Sequence, residues 1–278
     1  MKKLLLLCLP AILLLAFKPK EIKWVAIGDS ITYLNDHQNE TGNRITKGYM
    51  TMAAEKMPEL KYTNKGYNGW TATRIAAEIE KLGLEPADLY TVFLGTNDWW
   101  GSKPLGTMDD YLNNSGATTI HGAFRIIINK IRSLNKNAAI VLITPMQRVD
   151  FVYINNYKNS AWGSYRDKNG LQLEQVADAI AAIGAREGIP VVDLYHERKI
   201  NHRKLVHFKR LKDPSTGQYK DYRYPAFIDI PFDPQKDEYP YPEDAIKMTY
   251  DGLHPSDKGY AFITSKLLAV FKKINFQQ

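Results

Sequence analysis

Short apolar runs alternate with amphipathic stretches along this chain, and this alternation constrains its fold more than any other feature. Runs rich in β-branched residues predict buried strands, and apolar spacing at three and four residues predicts helices. Strands are expected at residues 25–28, 60–64, 88–94, 139–143 and 191–194, and helices at 45–57, 73–82, 118–134, 171–187 and 257–273. Because strands separated by helices of this length pair in parallel, we predict an α/β fold with a five-stranded, mainly parallel sheet.

Polar or glycine-rich blocks follow three of the predicted strands. Gly28-Asp29-Ser30 follows the first strand, residues 64–71 follow the second, and Gly95-Thr96-Asn97-Asp98 follows the third. A fourth block, Asp251-Gly252-Leu253-His254, precedes the last predicted helix. Ligands of parallel α/β sheets bind beyond the carboxyl ends of the strands. The blocks are therefore candidates for one shared site.

Each block alone also has a purely structural explanation. Asp29 or Ser30 is a good helix cap, and so is an Asn-Asp pair after a strand. Glycine clusters form turns, and a His-Pro pair is common in loops. A serine becomes a nucleophile only where a base reaches its hydroxyl group.

Taken together, the four blocks resemble the SGNH family of GDSL-type esterases and lipases. The matches are Gly28-Asp29-Ser30, Gly69 within Asn64-x-Gly66-x-x-Gly69-x-Thr71, Gly95-x-Asn97-Asp98, and Asp251-x-x-His254. The resemblance extends from about residue 23 to 270, with residues 196–249 outside it. It implies a flavodoxin-like, three-layer α/β/α sandwich and a serine hydrolase that acts on carboxylic esters.

The resemblance also implies a role for each matched residue. Ser30 would be the nucleophile and His254 the general base and later the general acid, with Asp251 orienting the imidazole. The backbone N–H groups of Ser30 and Gly69 and the side-chain amide of Asn97 would form the oxyanion hole.

A second hydrolase fold is disfavoured by the residue two positions after Ser30. The α/β-hydrolase fold carries a Gly-x-Ser-x-Gly turn, whereas position 32 is Thr. In the SGNH arrangement, Asp29 and Asp98 are expected to hold their loops rather than take part in the chemistry.

The first 17 residues have the pattern of a secretory signal peptide. Lys2 and Lys3 precede an apolar run at residues 4–17, which is shorter than the roughly 20 residues of a membrane-spanning helix. We therefore expect export to the periplasm or beyond, with an uncleaved membrane anchor as the alternative. Residues 18–278 are then expected to form a single domain.

Composition argues against several other classes of protein. The lone cysteine, Cys8, falls inside the signal segment, so the mature chain would have no disulfide and no cysteine-based metal site. The net charge of +7 is scattered, apart from a basic cluster at residues 198–212, and gives no nucleic-acid stripe. We predict no cofactor, no metal and no nucleic-acid partner.

Two segments interrupt the regular alternation, and both are expected to be loops. Residues 151–170 are polar and aromatic, and residues 196–249 form a longer insertion rich in Tyr, Pro, Arg and Asp. Because the insertion ends beside Asp251, we expect it at the rim of the active site, where its tyrosines would select the alcohol part of the ester. The predicted substrate contacts are Trp99, Trp100, Tyr222, Arg223 and Tyr224. The alternative for the two tryptophans is packing in the core, and the alternative for the tyrosines is packing of the insertion onto the sheet.

The predicted function is that of an exported serine esterase that removes short acyl groups, with acetyl as the expected group, from a carbohydrate. Aromatic residues beside an active site suit sugar rings, which is why a glycan ester is favoured. A lipid or thioester acyl-hydrolase is the alternative enzyme. A non-catalytic glycan-binding protein on the same fold is the alternative of another class.

Overall fold

The structure is a computed structural model that describes residues 20–276. The predicted signal peptide at residues 1–17 lies outside the described residues. The strands are β1 (Ile22–Gly28), β2 (Leu60–Gly66), β3 (Leu89–Phe93), β4 (Ala139–Ile143), β5 (Phe151–Tyr153), β6 (Asn156–Ala161), β7 (Val191–Val192), β8 (Lys209–Lys212) and β9 (Tyr219–Tyr222). The α-helices are α1 (Ser30–Tyr33), α2 (Tyr49–Lys56), α3 (Ala72–Ala77), α4 (Thr96–Trp100), α5 (Met108–Leu112), α6 (Ile120–Leu134), α7 (Leu173–Glu187) and α8 (Asp257–Phe271). Short 3₁₀ helices lie at Leu34–Asp36, Gln38–Thr41, Ile79–Lys81 and Glu243–Ala245.

The central sheet has five strands in the order β2-β1-β3-β4-β7, and every neighbouring pair is parallel. This is the strand order of flavodoxin-like folds, so the predicted fold class is confirmed. The sheet strands begin and end within a few residues of their predicted bounds, with β7 shorter than expected.

Strand β1 shows how the sheet builds a core on both of its faces. Trp24 and Ala26 point into one apolar cluster, and Val25 and Ile27 point into the other, because successive side chains of a strand alternate. Helices α2 and α8 pack together on the first face. Helices α3, α6 and α7 cover the second face. The three layers follow from this alternation.

The two segments predicted as loops each contain an antiparallel hairpin. Strands β5 and β6 pair within residues 151–161, and β8 and β9 pair within the insertion at residues 196–249. The insertion also contributes the buried side chains of Leu205, Leu211 and Phe227 to the cluster on the α2/α8 face. It therefore packs as part of the core on that face.

Among residues 20–276, no helix is both long enough and apolar enough to cross a membrane.

Candidate active site

The end of β1 places Ser30 at the start of a short helix. Asp29 caps α1 because its carboxylate accepts a hydrogen bond of 3.0 Å from the Ile31 N–H. Gly28 is required at this turn, since a Cβ there would lie 2.0 Å from Thr32 Oγ1. As the first residue of the helix, Ser30 has an N–H group with no acceptor inside α1.

The loop before α8 carries the predicted histidine and aspartate. Asp251 Oδ1 accepts hydrogen bonds from the backbone N–H groups of Leu253 (3.0 Å) and His254 (2.7 Å). Its other oxygen, Oδ2, lies 2.6 Å from His254 Nδ1, and His254 Nε2 lies 2.8 Å from Ser30 Oγ. A three-residue spacing thus lets one carboxylate fold the loop and orient the imidazole. The structure brings Ser30, His254 and Asp251 into one hydrogen-bonded chain.

Two aromatic rings enclose the imidazole of His254, which is 6% exposed. Tyr250 stacks on it with ring centres 5.9 Å apart, and Phe151 meets it edge-on at 5.3 Å. Asp251 Oδ2 accepts a hydrogen bond from Nδ1–H, so Nε2 is left as the acceptor for the Ser30 hydroxyl.

The predicted oxyanion donors lie beside Ser30. One N–H of the Asn97 amide donates to the carbonyl oxygen of Trp70 at 3.0 Å, which fixes the amide and leaves its second N–H for another acceptor. Gly69 has a φ of +72°, and no heavy atom lies within 4 Å of a Cβ added there. Ser30, Gly69 and Asn97 line the same pocket.

Asp98 ties the third sequence block to the second. Its buried carboxylate accepts hydrogen bonds from the backbone N–H groups of Ala72 (2.7 Å) and Thr73 (3.2 Å) at the start of α3. Burial raises the pKa of Asp98. Together with the cap made by Asp29, these contacts agree with the loop-holding role predicted for both carboxylates.

Asp29 gives a prediction for stability against pH. Burial raises the pKa of Asp29 from 3.8 to about 6, so the folded protein holds this proton more tightly than the unfolded chain does. Its contribution to the free energy of unfolding therefore falls by about 3 kcal/mol as the pH rises from about 4 to above 6. Asn at position 29 keeps an acceptor for the Ile31 N–H but cannot ionise. Between pH 4 and pH 7, the free energy of urea unfolding of Asp29→Asn should therefore rise relative to that of the wild type by about that amount. An unchanged difference between the two proteins would contradict the assignment.

The pocket that contains these groups has a volume of about 420 Å³. Its lining combines four of the five predicted catalytic and oxyanion-hole residues with aromatic side chains. The lining includes Ser30, Gly69, Asn97 and His254 together with Trp100, Phe151, Tyr153 and Tyr250.

Of the five predicted substrate contacts, only Trp100 belongs to the pocket lining. The other four predictions are corrected by the structure. Trp99 is fully buried and its Nε1 donates to the carbonyl oxygen of Leu171 at 2.8 Å, so it is a core residue. In the insertion, the Tyr222 hydroxyl donates to Asp213, Arg223 is exposed at the surface, and Tyr224 stacks on His202. Tyr222 and Tyr224 therefore make contacts inside the insertion, while the hydroxyl groups of Tyr239 and Tyr241 join it to the carbonyl oxygens of Val152 and Asp150.

The residues that take their place come from the segment after β4. Arg148, Phe151, Tyr153, Asn159 and Ala161 line the pocket, and all were missed as site residues. The available signal was topological, since this segment leaves the carboxyl end of β4, which is next to β3 and on the same edge of the sheet as the end of β1.

The same segment is bound to the loop that carries His254. Val149 N–H donates to Gly252 O at 3.0 Å, and Val152 N–H donates to Asp251 O at 3.2 Å. Gly252 has a φ of +90°, and a Cβ there would lie 2.0 Å from the carbonyl oxygen of Asp150. The two segments therefore touch backbone to backbone.

No group of three or more His, Cys, Asp or Glu side chains is arranged to hold a metal ion in the part of the chain that the structure describes.

The fold and the site define an ester-hydrolysing hydrolase. The chain belongs to the GDSL-like Lipase/Acylhydrolase family, whose model matches residues 26–262. The predicted family and enzyme class are thereby confirmed.

Solved structures agree with this assignment. A protein from Chitinophaga pinensis described as a possible lipase is 59% identical, with 92% of this chain and 100% of that chain covered and a TM-score of 0.91. A protein from Lactobacillus plantarum is 20% identical, with 92% and 99% covered and a TM-score of 0.60. A catalytic mutant of an acetylxylan esterase from Geobacillus stearothermophilus is 16% identical, with 93% and 97% covered and a TM-score of 0.51. The last two share the fold alone. No curated protein matches the chain.

Proposed function

We propose that this protein is an exported serine esterase that removes short acyl groups, in particular acetyl, from a carbohydrate. The observation that carries the proposal is the chain of contacts from Ser30 Oγ through His254 to Asp251, at 2.8 and 2.6 Å, beside the pocket. Export rests on the sequence of residues 1–17.

The reaction follows from these contacts. Ser30 Oγ attacks the carbonyl carbon of the ester while His254 Nε2 takes the hydroxyl proton, and Asp251 stabilises the resulting imidazolium. Gly69 N–H, Ser30 N–H and Asn97 Nδ2 donate to the oxyanion of the tetrahedral intermediate. His254 then gives its proton to the departing alcohol oxygen as the C–O bond breaks. Water attacks the acyl carbon in the same manner, which releases the carboxylic acid and restores Ser30.

The lining of the pocket supports a carbohydrate as the alcohol part. It offers the half-buried ring of Trp100 beside the side-chain amides of Asn68 and Asn159. Aromatic rings pack against the apolar faces of sugars, while amides can pair with their hydroxyl groups. The acetylxylan esterase of the same fold acts on such an ester, although its low identity makes it support for the fold rather than for the substrate.

Purified protein should be assayed on acetylated oligosaccharides and on aryl esters from acetate to octanoate. We expect kcat/KM to be highest for the acetyl esters. Faster hydrolysis of the long-chain esters would favour a lipid acyl-hydrolase. Glycan binding without hydrolysis of any ester would favour a binding protein on this fold.

Trp100 provides a prediction about the glycan. Trp100→Ala should raise KM for an acetylated oligosaccharide about three- to tenfold, because a stacked ring contributes about 0.5–1.5 kcal/mol. Hydrolysis of a small aryl acetate should change much less. The control is Phe262→Ala, which removes a half-buried ring that lies on α8, in another part of the protein. Equal losses on both substrates would show that Trp100 supports the site rather than binding sugar.

A further inference from the structure

Arg148 is a cation with a buried, fixed position in the pocket lining. It follows β4, lines the pocket that contains Ser30, and is only 2% exposed. Its backbone is held on both sides by Ser164, which accepts from Arg148 N–H at 3.0 Å and donates to Arg148 O at 2.8 Å. The side chain therefore starts from a rigid base.

The guanidinium group of Arg148 has more N–H donors than the surrounding protein provides acceptors for. It carries five N–H groups, and within residues 20–276 its Nη2 donates to Ala161 O at 3.3 Å. Nε is buried and has no hydrogen-bond partner in that part of the chain. The faces of Trp99, Trp100 and Phe151 lie 5.5–5.9 Å from Arg148 Cζ and give partial compensation by cation–π contact.

The two carboxylates that attract the Arg148 guanidinium most strongly each have another partner. Asp150 pairs with Lys209 at 2.8 Å, and Asp251 pairs with His254 at 2.6 Å. Within the described chain Arg148 forms no ion pair. Burial lowers the pKa of its guanidinium to about 10, so the group still carries its charge at neutral pH.

Another charged residue of the lining, Glu40, is also occupied elsewhere. Its Oε1 accepts from the Tyr33 hydroxyl at 2.8 Å, and its Oε2 accepts from Asn68 Nδ2 at 3.4 Å. A buried, unpaired cation is costly unless an anion completes it. The lining that contains the proposed nucleophile thus also contains a cation that forms no ion pair with a carboxylate of the described chain.

We propose that Arg148 is a specificity-determining residue that binds a carboxylate on the substrate, so that the preferred ester carries a negative charge near the bond that Ser30 attacks. This inference rests on the proposed function. The carboxylate could belong to the acid part, as in a half-ester of a dicarboxylic acid, or to the alcohol part, as in an acetylated uronic acid. Both supply the planar anion that a guanidinium group binds with two parallel hydrogen bonds.

Two matched pairs of substrates distinguish the sources. An aryl hemisuccinate is compared with the aryl butyrate of equal length, and an acetylated methyl glucuronide is compared with the acetylated methyl glucoside. We expect the wild type to prefer the charged member of one pair. Arg148→Gln should lower kcat/KM for that member about 10- to 100-fold and change the neutral member about threefold or less. Arg148→Lys should restore part of the preference.

The control is Arg166→Gln, which removes one positive charge from an exposed arginine outside the pocket lining. It should leave the charged-to-neutral ratio unchanged. Equal losses on both members in Arg148→Gln, or no preference in the wild type, would overturn the inference. If Arg148→Gln does not fold, as judged by thermal unfolding, the change of ratio in Arg148→Lys decides the matter.

A binding measurement separates this inference from the proposed function. Calorimetry on Ser30→Ala protein should show methyl glucuronide or succinate binding at least tenfold more tightly than methyl glucoside or butyramide. Adding Arg148→Lys should weaken only the charged ligand. A wild type that hydrolyses no ester, combined with this binding pattern, would overturn the esterase proposal and leave the anion site standing. Hydrolysis without any such binding difference would do the reverse.

Discussion

Ser30→Ala and His254→Ala are each expected to lower the rate of ester hydrolysis by about 10⁴-fold or more. Without the Ser30 hydroxyl the acyl-enzyme cannot form, and without His254 the base that lies 2.8 Å from Ser30 Oγ is lost. The double variant should lose little more than either single variant, since the pair acts as a unit. The measurement is kcat/KM on an aryl acetate, together with thermal unfolding of each variant.

Two matched substitutions control for side-chain loss elsewhere. Ser133→Ala removes a hydroxyl that donates to Lys130 O on α6. His121→Ala removes an imidazole that is 6% exposed, the same as His254, and bonded to Leu105 O. Both should retain hydrolysis in the fraction that remains folded. An unimpaired Ser30→Ala protein would refute the mechanism.

Asn97→Ala is expected to lower kcat by about 10²- to 10³-fold with little change in KM. The amide is already held by Trp70 O, so its free N–H can meet the oxyanion without reorganising. Because the negative charge develops only in the transition state, the loss should appear in kcat. Single-turnover kinetics on an aryl acetate would locate the effect in the chemical step.

Asn135→Ala is the matched control for this loss. Its amide also donates to a backbone carbonyl, that of Ala87 at 2.8 Å, but it precedes β4 and lies at the opposite end of the sheet. It should leave kcat unchanged. A change in KM alone for Asn97→Ala would instead make Asn97 a residue that binds the ground state of the substrate.

Much of the fold was predictable because the necessary information is local. The alternation of Trp24, Val25, Ala26 and Ile27 fixes a strand buried on both faces, and the amphipathic spacing of α6 and α7 fixes the layers. The contact between His254 and Asp251 was predictable for the same reason, since three residues of chain already bring them together. The approach of His254 to Ser30 came from the family resemblance, because 224 positions separate the two.

The lining of the pocket could not be predicted in the same way. Arg148 became a site residue because Ser164 holds its backbone and three aromatic rings surround its side chain, and these contacts depend on the finished fold. The tyrosines of the insertion were misassigned for a related reason. Composition shows that residues 196–249 are aromatic, but it does not show that Tyr239 donates to Val152 O while Tyr224 stacks on His202.

The backbone contact between residues 149–152 and Gly252 has a consequence for how this enzyme can diverge. Backbone hydrogen bonds join the loop of the proposed general base to the first residues of the hairpin β5–β6, and Asp150 links this region to Lys209 of the insertion. Insertions or deletions at the turn between β5 and β6 can reshape the mouth of the pocket while the contacts of residues 149–152 stay in place. The same changes at residues 149–152 would displace His254 along with the hairpin. Related chains can therefore acquire new substrates through changes in the turn of the hairpin. Residues 149–152 are constrained, because they hold the loop that carries the proposed general base.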